Sequence, residues 1–228
     1  MKTNKLISLM VALVLTSNGC NNAKVVGSNQ ELEGKLPAPK LMGEISVEEA
    51  LNLRKSVRKF LDKPLSIDQI SQLLWSAQGI TRTRGELKLR TAPAAGATYP
   101  LETYLFTASG GYKYNPADHS LKKVYPDDMR IELAQASHGQ TSVSCAHAVF
   151  VFTYIEERTS QRYGERAYRY ICMEAGHVAQ NIHLQAVALG LGSVPVGAFT
   201  DDKVAEIMQL PENEIPLYII PVGYSAEE

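Results

Sequence analysis

The spacing of apolar residues changes several times along the chain, and each change marks an element. From Ala167 onward, Ile171, Ala175, Val178, Ala179, Ile182, Ala186 and Leu189 recur every three or four positions, which is the helical period. Glu174, His177, Asn181 and Gln185 recur at the same spacing and share one polar stripe, and Glu174 is the one formal charge after Arg169. The spacing predicts a long helix buried on most sides, the central helix of the core. Gly176 and Ala179 lie a turn apart, so a second backbone could approach there, as at a subunit interface. Gly190 and Gly192 stop the helix and lead into a short buried strand.

Two capping boxes open further helices. Ser46-x-x-Glu49 starts one that ends near Leu53, and Ser66-x-x-Gln69 starts Ile67–Gln78 with Ile70, Leu73, Leu74 and Ala77 inward. Alternation predicts a strand over 103–109, a hairpin turn at Gly110-Gly111, and a meander through Tyr112–Tyr114, the turn Asn115–Asp118 and Leu121–Val124. A helix is expected over 127–136. The continuous apolar run Ala146–Tyr154 reads as a strand buried on both faces. Thr200 is expected to cap a helix over 201–209, and Leu217–Val222 forms the last core strand. No internal repeat is visible.

Composition narrows the class. A chain of 228 residues, 45% hydrophobic, suits one α/β domain with a sizeable core. A net charge of −1 gives no support for nucleic acid as a partner, and three cysteines exclude a disulfide-rich scaffold. Lys2 and Lys5 precede the apolar run Leu6–Leu15, then Thr16-Ser17-Asn18-Gly19-Cys20. Such a run is too short to span a bilayer and fits a signal peptide over 1–19. Small residues before Cys20 resemble a lipoprotein motif, with Ser17 where a branched aliphatic residue is usual. Two outcomes stay open: a membrane-anchored envelope lipoprotein, lipidated at Cys20, or a soluble exported protein cleaved after Gly19. Residues 20–40 read as a polar tether, and the folded domain is expected over 41–228.

Candidate chemistry begins at Arg54-Lys55-Ser56-Val57-Arg58-Lys59, where cations and a hydroxyl suit a phosphate cradle or, alternatively, a solvated basic turn. Arg82, Arg84, Lys88 and Arg90 fall in a basic loop. Pro93-Ala94-Ala95-Gly96 begins a rigid turn of small side chains, either a backbone platform for something flat or a tight connection. Glu174-x-x-His177 lacks the second pair a helical di-iron site needs, so His177 is expected as a core histidine. Cys145-x-His147 is too sparse for zinc, and no metal site is expected. No Gly-rich phosphate loop follows a strand, and no serine triad is visible.

Taken together, Arg54-x-Ser56-x-Arg58, Pro93-Ala94-Ala95-Gly96-Ala97-x-Tyr99-Pro100-x-Glu102, Gly176-His177-x-Ala179-Gln180-Asn181 and Gly190-Leu191-Gly192-x4-Gly197-Ala198-Phe199 resemble the FMN-dependent nitroreductase superfamily. The insert Gly111–Leu121 is similar to its SagB/ThcOx branch. The resemblance implies an α+β fold, a central, mostly antiparallel sheet flanked by helices, in an intertwined homodimer with FMN at the subunit interface. It implies that Arg54, Lys55, Ser56 and Arg58 take the phosphate and ribityl end, and that Pro93, Ala94, Ala95 and Gly96 face the isoalloxazine. Val196 and Gly197 would offer backbone groups near N5, and Gln140 would touch the ring edge. Many relatives bring a Lys or Arg from the segment after the last core strand onto the phosphate, whereas this chain reads Gly223-Tyr224-Ser225-Ala226-Glu227-Glu228.

Azoline-oxidising relatives use a Lys-Tyr pair, to which Arg162-Tyr163 corresponds here. An arginine stays protonated and is no general base, which argues for simple reduction, with Tyr163 as the candidate catalytic residue. The resemblance therefore implies a flavin oxidoreductase passing a hydride through N5 to or from a small organic substrate. The alternative is an exported flavin- or ligand-binding module without turnover. NAD(P)H is a possible donor, but export would favour a membrane or periplasmic redox partner.

Overall fold

The computed structural model describes residues 32–227, so the expected signal peptide and Cys20 lie outside the described residues. Its central strand is β7 (Ala148–Tyr154), buried at every position. Alternation divides that strand between two cores. Ala148, Phe150, Phe152 and Tyr154 face one, while Val149 and Val151 face the other. The remaining strands are β1 (Gly34–Lys35), β2 (Ile80–Arg84), β3 (Leu87–Arg90), β4 (Leu101–Thr107), β5 (Gly110–Asn115), β6 (Ser120–Tyr125), β8 (Gly192–Ser193) and β9 (Ile215–Gly223). Seven of the nine strands among the described residues form one antiparallel sheet in the order β1-β6-β5-β4-β7-β9-β8, and β2 and β3 pair separately.

Helices α1 (Val47–Leu53), α2 (Ile67–Gln78), α3 (Arg130–Ala136), α4 (Thr141–Cys145), α5 (Glu157–Tyr163), α6 (Ala167–Ala188) and α7 (Asp201–Ile207) flank the sheet. One core packs α2 and α6 onto it, and the other packs α3, α4 and α7 on the opposite face. This is the α+β arrangement that the family resemblance implies. In α2 the Ser66 hydroxyl accepts from the Gln69 N–H (3.2 Å) and the Gln69 amide oxygen accepts from the Ser66 N–H (2.9 Å). Ser66→Ala should lower stability by about 1 kcal/mol, measured as a shifted urea midpoint.

Several expectations are corrected. The stretch read as a tether is folded from Leu32 onward. Leu32 and Leu36 are buried, Gly34–Lys35 pairs with β6, and the Pro37 carbonyl accepts the Ser71 hydroxyl at 2.6 Å. Two leucines are too few to fold alone but enough to dock onto an existing apolar face. The basic loop is the β2–β3 ribbon, exposed at 81–88. The hairpin turn sits at 108–109, and Gly110 and Gly111 lie inside β5. A Cβ on Gly110 would meet the Tyr125 carbonyl at 2.5 Å, so these glycines serve close packing instead of the turn. Thr200 precedes α7 without making a side-chain cap. His177 is exposed on α6 and lies outside the core.

Candidate functional site

Residues 54–60 are held extended between two neighbours. On one side the Val57 N–H donates to the Ser193 carbonyl (3.0 Å) and Ser56 bridges Ser193. Gly192 permits this approach, because a Cβ there would sit 2.6 Å from Val57. On the other side the Ala226 N–H donates to the Lys59 carbonyl at 2.9 Å. Arg54 ends α1 half-buried, and Lys55 and Arg58 are exposed. Behind them His183 meets the Ser193 hydroxyl at 2.6 Å. Burial and the nearby Arg54 push its pKa down to about 4, so the ring is neutral at pH 7.

This segment already holds an anion. The backbone N–H groups of Arg58 and Lys59 both donate to Glu227 Oε1, at 2.9 and 3.0 Å. The Arg58 and Lys59 amides and the charges of Lys55 and Lys59 hold the Glu227 carboxyl below the usual range. Two successive amides with cations alongside form a donor set that fits a phosphate oxygen as well as a carboxylate.

The Pro93–Gly96 turn forms a second group, built onto α5. Thr98 and Thr159 hydroxyls meet at 2.9 Å, and Arg158 Nη1 donates to the Tyr99 carbonyl at 3.3 Å. Tyr99 accepts the Arg90 N–H on its hydroxyl (3.0 Å) while the Arg90 guanidinium stacks over its ring, 4.4 Å from the centroid. Gly96 is left-handed, with φ 59°. A Cβ on Gly96 would lie 2.7 Å from the Tyr163 hydroxyl and 2.8 Å from Arg162 Nη1. Tyr163 is half-buried and packs edge-on against Tyr170, with centroids 4.9 Å apart. Pro93 and Gly96 are exposed, and the turn presents a surface of backbone and small side chains.

These two groups sit at opposite ends of α6. From Tyr170 to His183 is 183 − 170 = 13 residues, about 20 Å of helix. Between them α6 exposes Cys172, Met173, Gly176, His177 and Gln180 on one face. Its opposite side carries Glu174, 2% exposed, with Oε1 lacking a hydrogen-bond partner among the described residues. Burial pushes the Glu174 pKa up to about 7, against the pull of Arg90 and Gln78. Arg90 Nη1 in turn donates to Gln78 Oε1 at 2.6 Å.

Known proteins share this fold. Residues 51–224 match the Nitroreductase family. The chain belongs to the nitroreductase family, and with it to the oxidoreductases. A protein of Methanocaldococcus jannaschii named as a nitroreductase is 42% identical over 190 residues, 81% of this chain and 93% of that one. The microcin B17-processing protein McbC of Escherichia coli is 30% identical over 173 residues, 71% of this chain and 63% of McbC. A crystal structure of a protein named as a nitroreductase from Ralstonia eutropha superposes with a TM-score of 0.78 at 30% identity. It covers 89% of this chain and 93% of that one.

Within this chain, the expected site residues fall into separate places. Arg54, Lys55, Ser56 and Arg58 form the extended segment on β8, while Pro93–Gly96 and Tyr163 meet at the far end of α6. Gln140 Nε2 donates to the Ala198 carbonyl (3.1 Å), which brings it beside Gly197. Val196 pairs with the last strand: its N–H donates to the Ile219 carbonyl (2.8 Å) and its carbonyl accepts the Ile219 N–H (3.1 Å). Gly197, exposed, is the residue of that pair that faces outward. Sequence reasoning missed Glu227, which lies 169 residues from its Arg58 contact, and the stacking of Arg90 under Tyr99. The aromatic and the cation nine residues apart were the available signal for the stack.

Proposed function

We propose that two copies of this chain pair across α6 and complete two FMN sites, making the protein an FMN-dependent oxidoreductase of the SagB/ThcOx type. What carries this reading is the placement of two half-sites at opposite ends of one helix, with an exposed glycine between them. Antiparallel pairing about Gly176 would set the Arg54–Arg58 segment of one protomer beside the Pro93–Gly96 turn of its partner. The McbC similarity and the β5–β6 hairpin formed by the Gly111–Leu121 insert support the branch assignment.

Bound FMN would supply two-electron chemistry, accepting a hydride from a donor and passing it to a small organic substrate. The chain's own part is placement. Arg54, Ser56 and Arg58 would bind the phosphate end, and small side chains at 93–96 would let the backbone lie close to the ring. Gly197 would meet the ring edge, with Gln140 fixing the neighbouring backbone through Ala198. Tyr163 would hold a proton at its hydroxyl beside the turn. Arg162 fits charge stabilisation better than proton abstraction.

The purified full-length chain should be yellow, releasing about one FMN per subunit on denaturation. Arg54→Ala and Arg58→Ala should each weaken FMN binding about tenfold or more, because each removes a charge-assisted contact worth roughly 1.5–3 kcal/mol. Flavin fluorescence titration reads this. A colourless protein that takes up no added FMN would remove the reading. Dithionite followed by NADH would separate a nicotinamide donor from another redox partner.

A further inference from the structure

We propose that Glu227 is an internal competitor for the flavin phosphate, so that this chain binds FMN by displacing its own carboxylate from the cradle. The inference rests on the flavin reading above and concerns what sets the affinity and selectivity of that site.

Its basis is the double contact of Glu227 Oε1 with the Arg58 and Lys59 N–H groups. The segment after β9 is shaped to deliver it. Ser225 bridges Phe60, the Ala226 N–H donates to the Lys59 carbonyl, and the Ser225 hydroxyl accepts the Glu227 N–H at 3.0 Å. That same hydroxyl donates to the Glu227 carbonyl at 3.0 Å, closing a tight turn. The carboxylate thus lies on the backbone of the residues whose side chains form the basic cluster. Arg58 supplies an amide to Glu227, and its own side chain is exposed.

Competition follows from charge. One anion can take these two amides, and a second placed beside it meets like-charge repulsion in a partly screened setting. A phosphate dianion offers three acceptor oxygens and twice the charge, so it can displace a monoanionic carboxylate held there by two amides. The displacement cost falls on phosphorylated flavin alone. Riboflavin, lacking the phosphate, has no reason to move Glu227. The acidic side chain therefore acts as a specificity-determining residue that narrows the preference for FMN over riboflavin.

The test compares the full chain with its Glu227→Gln variant. Glutamine keeps the size and one acceptor oxygen while removing the charge, and the position is half-buried beyond the last strand, so the isosteric change leaves the core untouched. Fluorescence titration should show FMN binding about tenfold tighter in E227Q, since a charge-assisted acceptor becomes a neutral one. Riboflavin affinity should change less than about twofold. Equal FMN affinity in both chains, or weaker binding in E227Q, overturns the proposal. In parallel, inorganic phosphate is titrated while the amide NMR shifts of Arg58 and Lys59 are followed. Saturation at lower phosphate in E227Q is expected, and saturation at the same concentration in both chains overturns the proposal. That second arm uses no flavin. Were neither chain to bind flavin, the flavin reading would fall, and the phosphate shifts would still decide whether Glu227 guards an anion site.

Discussion

Gly176→Arg is expected to turn a yellow dimer into a colourless monomer. Gly176 lies near the midpoint of the 22-residue helix α6, on its exposed face, and a Cβ there meets nothing within 4 Å in the chain itself. Arginine is a better helix former than glycine by about 1 kcal/mol, so the protomer should fold as well as before. Any loss must then come from the partner's approach. A two-fold axis near the helix midpoint places the Tyr163 end of one α6 beside the Ser193 end of the other. A side chain the length of arginine at that axis meets its own copy, with like charge. Analytical ultracentrifugation and flavin absorbance read both outcomes together, and a monomer that remains yellow would show that one chain holds a complete site. Co-expression of Arg54→Ala with Gly96→Val chains gives a second check. A composite site regains about half its flavin in mixed dimers, because one of two sites pairs an intact cradle with an intact turn. A site within one chain regains none.

How much of this was legible depended on whether a feature is local. The bounds of α2 followed from its capping box and period, and β7 from an unbroken apolar run, since each is fixed by neighbours in sequence. Gly110 and Gly111 misled because glycine serves both turns and close packing. Phe106 and Tyr125, which demand the packing, come from adjacent strands. The docking of Leu32 and Leu36 was invisible because a strap borrows its stability from a core built elsewhere. At the site, the residue types of the cradle and the turn could be read. Their separation along α6 could not, nor could the pairing that takes up the Val196 N–H. The Glu227 contact lay beyond reach for the same reason. Two amides become an anion site only when the fold brings a distant segment to them.

Ionisation of Glu174 should make this chain less stable as pH rises from about 4.5 to above 7, and Glu174→Gln should abolish that loss. The carboxyl is 2% exposed, with Oε1 unpartnered among the described residues, and burial raises its pKa from 4.5 to about 7. A carboxyl whose folded pKa exceeds its unfolded one keeps its full contribution below the unfolded value and loses it as pH climbs through the folded one. At 1.36 kcal/mol per unit, the loss approaches about 3 kcal/mol at most. Two histidines act in the opposite sense. His147 and His183 are pushed down to about 4, chiefly by burial, so their contribution is full above 6.5 and fades as pH falls through 4. Both are present in either chain, so the difference between wild type and variant cancels them. Urea unfolding at several pH values should show E174Q gaining on wild type across pH 4.5 to 7.5. Parallel curves would mean that Arg90 and Gln78 hold Glu174 ionised throughout. The gain should be accompanied by a change at the 93–96 turn, because Arg90, which faces Glu174, also carries Tyr99 on its backbone N–H and under its guanidinium. A carboxyl that lost its proton near neutrality would strengthen its pull on Arg90, and a pH-dependent shift in the amide NMR signals of residues 94–96, absent in E174Q, would show that the Arg90–Tyr99 stack carries the change to that turn.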